Sequence, residues 1–334
     1  MNFLFIGLGS IGQRHLRNLK ILMPKSNIFA YRRTFKTPTL NNENKIIKQS
    51  LKKKFNIKYI KSLNNLKKFK INAGIICSPS SFHVQESIKL LSQNINIFVE
   101  KPLGSNLKYV DKLERLSKKS KKISMVGFQL KFCPIINFLK KIIKERKYGN
   151  IKYISIHHGE HIKNFHKYER YEKLYASKKQ LGGGVVLTQI HEIDYLLYLL
   201  EGYKLKKIKS LSKKITNLKI NVEDTLSASM EFESKKRNKV ITNLSLNYYE
   251  IPRKREINLI FDKGKVKADL VNQNLIMMNE TKTIKKSFLY KRNDLFLNEL
   301  KYFLNCIKKK IKIKKHLNLV NAIDSLKLAI KLKN

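Results

Sequence analysis

Ten residues near the amino terminus constrain this chain more than any other stretch. Phe3–Ile6 is a short apolar run, and Gly7, Gly9 and Gly12 follow it at the spacing Gly-x-Gly-x-x-Gly. Apolar residues then recur at Ile11, Leu16, Leu19 and Leu22, a helical spacing. A strand, a glycine turn and a helix in direct succession form the context in which this spacing binds a dinucleotide. Gly7 permits the tight turn, Gly9 lets the backbone approach a diphosphate, and Gly12 lets the helix pack close to the strand. The helix start, at Ser10 and Ile11, offers free amides and the positive end of its dipole to phosphate.

The chain has 334 residues, enough for two domains with separate cores. Its formal net charge of +47 raises the question of nucleic acid or an anionic membrane. The lysines answer against both, because they are spread over the whole length in short runs such as Lys52–Lys54 and Lys308–Lys310. A nucleic-acid surface concentrates its basic residues and interleaves aromatics. Cys77, Cys133 and Cys306 are the only cysteines and form no Cys-x-x-Cys pair, which fits a reducing compartment without structural zinc. With no secretory leader pattern and no long apolar run, a cytoplasmic protein without a membrane partner is expected.

Further strands are expected at Asn27–Tyr31, Ile57–Ile60, Ala73–Cys77 and Ile95–Val99, with helical segments between them. That alternation predicts a parallel sheet with right-handed crossovers. Ligands on such sheets lie at the carboxyl ends of strands, where Gly7, Arg32, Ser78 and Lys101 fall. The second strand ends in Arg32 and Arg33 with no acidic residue. Arginine there accommodates the 2′-phosphate of NADP, so NADP is preferred, with NAD the alternative. The second half reads as strands at Tyr153–His157, Leu205–Lys213, Asp224–Phe232, Val240–Tyr248, Glu256–Phe261 and Lys265–Leu270. Amphipathic helices follow at Leu295–Ile307 and Leu317–Leu332. The expected fold is an α/β domain over residues 1–125, then an α+β domain with a large, mostly antiparallel sheet over residues 126–334.

Several motifs, in order, resemble the Gfo/Idh/MocA oxidoreductases, the glucose–fructose oxidoreductase and inositol dehydrogenase group. They are Gly7-x-Gly9-x-x-Gly12-x-x-His15, Ile75–Pro79 with His83, Glu100-Lys101-Pro102, Gly127-Phe128-Gln129, and Lys131-Phe132 with Pro134. Gly182-Gly183-Gly184 ahead of His191-Glu192-Ile193-Asp194 completes the set. The resemblance implies a Rossmann domain and hydride transfer between NAD(P) and a hydroxyl or keto carbon of a sugar or nucleotide sugar. A cyclitol or free-sugar dehydrogenase and a non-catalytic dinucleotide-binding regulator are the alternatives. It makes Lys101 and His191 the catalytic pair, with Lys101 next to a cis proline. Cofactor contacts would come from Gly7, Gly9, Ser10, Ile11, Gly12, Arg32, Arg33, Ser78, Pro79, His83, Glu100, Lys101 and Gln129. The segment before the triple glycine looks like that of a subgroup associated with surface-glycan sugars. By that likeness His166, Tyr171 and Tyr175 would face the substrate with Thr188 and His191, while aromatic packing under a long loop explains the same residues. The family also implies a homo-oligomer formed through the second sheet.

The residue chemistry agrees with these roles. A lysine beside a nicotinamide polarises the substrate oxygen, and a histidine exchanges a proton near neutral pH. Thr188 and Asp194 each lie three residues from His191 and share its helical face, so the Asp194 carboxylate is expected to orient the ring. Many family members carry an aspartate one turn before this histidine, where this chain has Leu187 or Thr188. That departure weakens the imidazole as a base. Histidines 157, 158, 161 and 166 match no zinc spacing, and no metal is expected.

Overall fold

The computed structural model describes residues 1–334 apart from Lys36 and Lys167. Its first sheet contains β1 (Asn2–Ile6), β2 (Asn27–Tyr31), β3 (Ile57–Tyr59), β4 (Ala73–Ile76), β5 (Asn96–Glu100) and β6 (Ser124–Gly127). All six are parallel, in the order β3-β2-β1-β4-β5-β6. Helices α1 (Ser10–Leu22), α2 (Leu51–Phe55), α3 (Ser80–Leu91) and α4 (Val110–Lys119) connect them. The strands are buried on both faces, which explains why Phe3–Ile6 and Ala73–Ile76 read as unbroken apolar runs rather than alternating ones. The order reverses between β1 and β4, so the crevice at their carboxyl ends is the binding edge of the sheet.

The second half begins with α5 (Pro134–Glu145) and β7 (Ile151–Gly159), followed by α6 (Val185–Thr188) and α7 (His191–Leu199). Then come β8 (Tyr203–Lys213), β9 (Thr225–Ser234), β10 (Lys239–Asn247), β11 (Lys254–Phe261), β12 (Gly264–Asp269), β13 (Asn274–Met278) and β14 (Thr283–Ser287). They form one eight-stranded sheet, β14-β13-β12-β11-β7-β10-β9-β8, antiparallel except where β7 runs beside β10. Alternation sets its faces. Leu226, Ala228, Met230 and Phe232 of β9 and Val240, Leu244 and Leu246 of β10 point inward onto the helices.

Two terminal helices, α8 (Arg292–Lys309) and α9 (Leu319–Lys333), return toward the first sheet. Leu300, Phe303 and Leu304 of α8 share a core with Phe3, Phe5, Leu16 and Leu19. Full burial of each such side chain stabilises by about 1.5–3 kcal/mol. The face beside α1 is therefore closed by residues from the far end of the chain. β13 and β14 were not expected from sequence. Both are short, and β14 is an edge strand rich in lysine and largely exposed, which leaves little apolar pattern to read. Among the described residues no helix is long and apolar enough to cross a membrane.

Candidate active site

At the end of β1 the chain turns through Gly7 with φ +86°, a left-handed conformation that favours glycine. A Cβ there would lie 2.8 Å from the Cys77 carbonyl oxygen, and one on Gly12 would lie 2.4 Å from the Gly7 carbonyl oxygen. These two glycines are required by the protein itself. Gly9 is different, because nothing lies within 4 Å of where its Cβ would be. It is the N-cap of α1, without a side-chain cap and with no acidic residue in the first turn. The first-turn amides from Ser10 and Ile11 thus stand uncapped at the carboxyl edge of the sheet, the place such a sheet offers to a dinucleotide diphosphate.

Lys101, just after β5, and His191, at the start of α7, come close to one another. The Lys101–Pro102 peptide is cis, as expected. Lys101 Nζ donates to the Thr188 carbonyl oxygen at 2.7 Å, which places the amine one turn before His191. Burial lowers the Lys101 pKa to about 8, with the Glu100 and Glu192 carboxylates pulling it back up. His191 is held well below the ordinary imidazole value by burial, then by the nearby Lys101 and Arg255 cations. Its ring packs edge-on against Phe128. His191 Nδ1 and Gln129 Oε1 are buried without a hydrogen-bond partner, and the Thr188 hydroxyl lies close to the phenols of Tyr175 and Tyr248. Unsatisfied polar atoms are rare in protein interiors, so each is a candidate contact for a ligand. Gln129 Oε1 is an acceptor suited to a carboxamide such as that of nicotinamide.

Residues 1–128 match the family model described as "Oxidoreductase family, NAD-binding Rossmann fold", and residues 136–267 match the Gfo/Idh/MocA C-terminal domain. The chain belongs to the Gfo/Idh/MocA oxidoreductases. It is 23% identical over 314 residues to myo-inositol 2-dehydrogenase of Thermotoga maritima, covering 91% of this chain and 87% of that protein. The fold matches that of UDP-N-acetylglucosamine 3-dehydrogenase from Acidithiobacillus ferrooxidans with a TM-score of 0.76 at 16% identity, over 100% of this chain and 96% of the other. It also matches scyllo-inositol dehydrogenase from Lactobacillus casei, solved with NAD(H) and scyllo-inositol, with a TM-score of 0.75 at 20% identity over 100% and 96% of the two chains.

In this Gfo/Idh/MocA protein the surroundings of Lys101 and His191 depart from expectation at Asp194. That carboxylate does not orient His191. It is buried against Lys131 Nζ and Ser325 Oγ, each at 2.9 Å, and so ties α7 to α9. The helix expected across Thr188 and His191 is also broken at Gln189 and Ile190. Glu192 supplies the local electrostatics instead. Its Oε1 lies 2.6 Å from Arg255 Nη2 and 3.0 Å from His158 Nδ1. These two partners hold the Glu192 carboxyl far below its usual value despite burial, which alone would raise it. Nothing in the sequence pointed to Arg255 or His158, which stand on β11 and β7.

Other expected cofactor contacts divide into lining and bracing residues. Ser78 and Pro79 form the turn after β4, but Ser78 Oγ donates to Glu86 Oε2. Arg33 lies 2.7 Å from Glu86 Oε1 and stacks on Phe82, whereas Arg32 lies over the Phe35 ring. His83 is buried, with its ring nitrogens at the carbonyl oxygens of Pro102 (2.8 Å) and Ser78 (2.7 Å), so it joins the two strand-end turns. The Glu100 side chain turns inward, 2.6 Å from His15 Nε2, and its Oε2 accepts from the Lys101 amide. Buried Glu299 completes that cluster, its carboxyl pushed well above the usual value by burial and by Glu100.

The three residues assigned to substrate by resemblance also separate. Tyr175 approaches Thr188, and burial together with the Glu100 charge raises its phenol to about 12. Tyr171 Oη accepts from the Lys219 amide at 3.2 Å. His166 lies beside Ser10. Three histidines of this segment meet carboxylates, His157 at Glu250, His158 at Glu192 and His166 at Glu169, whereas His161 accepts from the Lys163 amide.

Proposed function

We propose that this protein oxidises or reduces a carbinol carbon of a sugar or nucleotide-linked sugar, with Lys101 exchanging the hydroxyl proton. The observation that carries this reading is the meeting of the Lys101 amine, the His191 ring and the Thr188 and Tyr248 hydroxyls. A bound nicotinamide dinucleotide supplies the hydride acceptor or donor. Lys101, at about 8, is matched to proton transfer near neutral pH, whereas His191 is too weakly basic and lacks a carboxylate behind it. Neutral His191 then holds the substrate oxygen by a hydrogen bond. Residues 1–125 serve the cofactor and residues 126–334 the sugar. Arg33 is committed to Glu86, so Arg32 is left to meet a 2′-phosphate, and NADP is the preferred cofactor. The uncovered face of the eight-stranded sheet serves as the subunit interface.

The test is a panel of sugars, nucleotide sugars and cyclitols with NAD and NADP, read by nicotinamide absorbance. A sugar or nucleotide sugar should react, with NADP preferred and activity lost in Lys101→Met. Dinucleotide binding with no turnover across the panel would leave the regulator reading, which the missing carboxylate behind His191 favours.

A further inference from the structure

The loop between β7 and α6 belongs to the second half of the chain, yet one of its side chains reaches the glycine turn of the first. His166 Nε2 lies 3.3 Å from Ser10 Oγ, on the first residue of α1. The other ring nitrogen, Nδ1, lies 3.1 Å from Glu169 Oε1. The ring stacks on Tyr168 with centroids 5.2 Å apart and planes 16° from parallel. Tyr168 Oη is 3.3 Å from His166 Nδ1 and also interacts with Ser10. The imidazole is thus held on its face and on one edge, and the remaining nitrogen is aimed at the turn. Beside that nitrogen are the uncapped first-turn amides of α1 and the open space next to Gly9.

The imidazole touches Ser10, whereas the Lys101 amine is engaged with the Thr188 carbonyl. The ring is suited to a group that lies on Ser10. We propose that His166 is a ligand of the dinucleotide diphosphate. Both ring nitrogens then carry hydrogens: Nε2–H donates to a phosphate oxygen and Nδ1–H to Glu169, while Tyr168 supports the ring by stacking. The loop thereby straps the second domain across the middle of the cofactor, and the diphosphate is bound from both sides: by α1 amides below and by an imidazole above. This assignment rests on reading the glycine turn as the NAD(P) site, and it moves His166 from the substrate to the cofactor.

Equilibrium binding to the full-length protein tests it with two probes, NADH and ADP-ribose, the second of which carries the diphosphate but no nicotinamide. His166→Ala should weaken both by about tenfold, the loss of one hydrogen bond to a charged group. His166→Asn, which keeps a donor, should recover part of the affinity, and the melting temperature without ligand should stay at the wild-type value. Unchanged ADP-ribose affinity in His166→Ala would overturn the proposal, as would an effect confined to the KM of the sugar at saturating cofactor. Failure of the wild-type chain to bind ADP-ribose would overturn the dinucleotide reading itself, and so is distinct from failure of the variant alone.

Discussion

An amine lowered to about 8 stands near an imidazole held well below its ordinary value, and on the proposed mechanism the pH dependence of the reaction follows from that pairing. With Lys101 in its proposed role, the neutral amine accepts the hydroxyl proton in oxidation, so kcat/KM should rise with pH through about 8 and then level off. In reduction the ammonium form donates the proton, so the rate should fall as pH passes the same value. Lys101→Met should lower kcat by roughly 100-fold or more, the usual contribution of a positioned acid–base group. His191→Asn should reduce the rate yet keep the inflection. An inflection that persists in Lys101→Met would assign the proton to another group. The sequence showed both residues but mistook the neighbour. Asp194 has the right spacing to serve His191, yet Lys131 and Ser325 approach it from outside the helix and take it first. Spacing within a helix says which side chains share a face, not which of them a distant lysine will claim.

At the scale of the element, the strand–turn–helix unit of β1 and α1 separates the needs of folding from those of binding. Gly7 and Gly12 press against backbone atoms of the protein, while Gly9 presses against nothing. Gly7→Ala should therefore destabilise the fold by about 1–3 kcal/mol, the cost of a left-handed non-glycine residue made worse by contact with Cys77. Gly9→Ala should leave the chemical denaturation midpoint nearly unchanged and abolish measurable dinucleotide binding. The paired measurement is decisive, because a purely structural turn would make Gly9→Ala silent in both. This unit was legible from residues alone, as its strand, turn and helix are adjacent in the chain. β13 and β14 were not, since Asn274–Met278 and Thr283–Ser287 gain their order from pairing with a neighbouring strand rather than from their own pattern.

Over the whole molecule, the inner face of the second sheet is covered by helices and the outer face is bare. Ile241, Tyr153 and Ile260 stand side by side on that outer face, with Ile241 and Ile260 each 45% exposed. The next row contains Ser229, Asn243, Ser155 and Asn258, and Ser229 and Asn243 hydrogen-bond to each other. An uncovered face of this kind can pair with its own copy across a twofold axis. Light scattering should give a mass above that of one chain, and Ile241→Lys with Ile260→Lys should reduce it to the monomer. A monomeric wild-type protein would remove the sheet from consideration as an interface. The same scale explains α8, whose apolar stripe was visible in the sequence while its destination against α1 was not.

The amino-acid sequence by itself determined the local units. These include the glycine turn, the alternation that makes one sheet parallel and the other mostly antiparallel, and the positions of Lys101 and His191. These depend on neighbours a few residues away, which backbone geometry and side-chain periodicity encode directly. Only the tertiary structure decided that Glu192 answers to Arg255 and His158, that Glu100 faces His15, and that His166 reaches Ser10. Buried charges and polar groups must find partners wherever the fold places them, and desolvation makes those long-range pairings mandatory without leaving any mark at a fixed spacing.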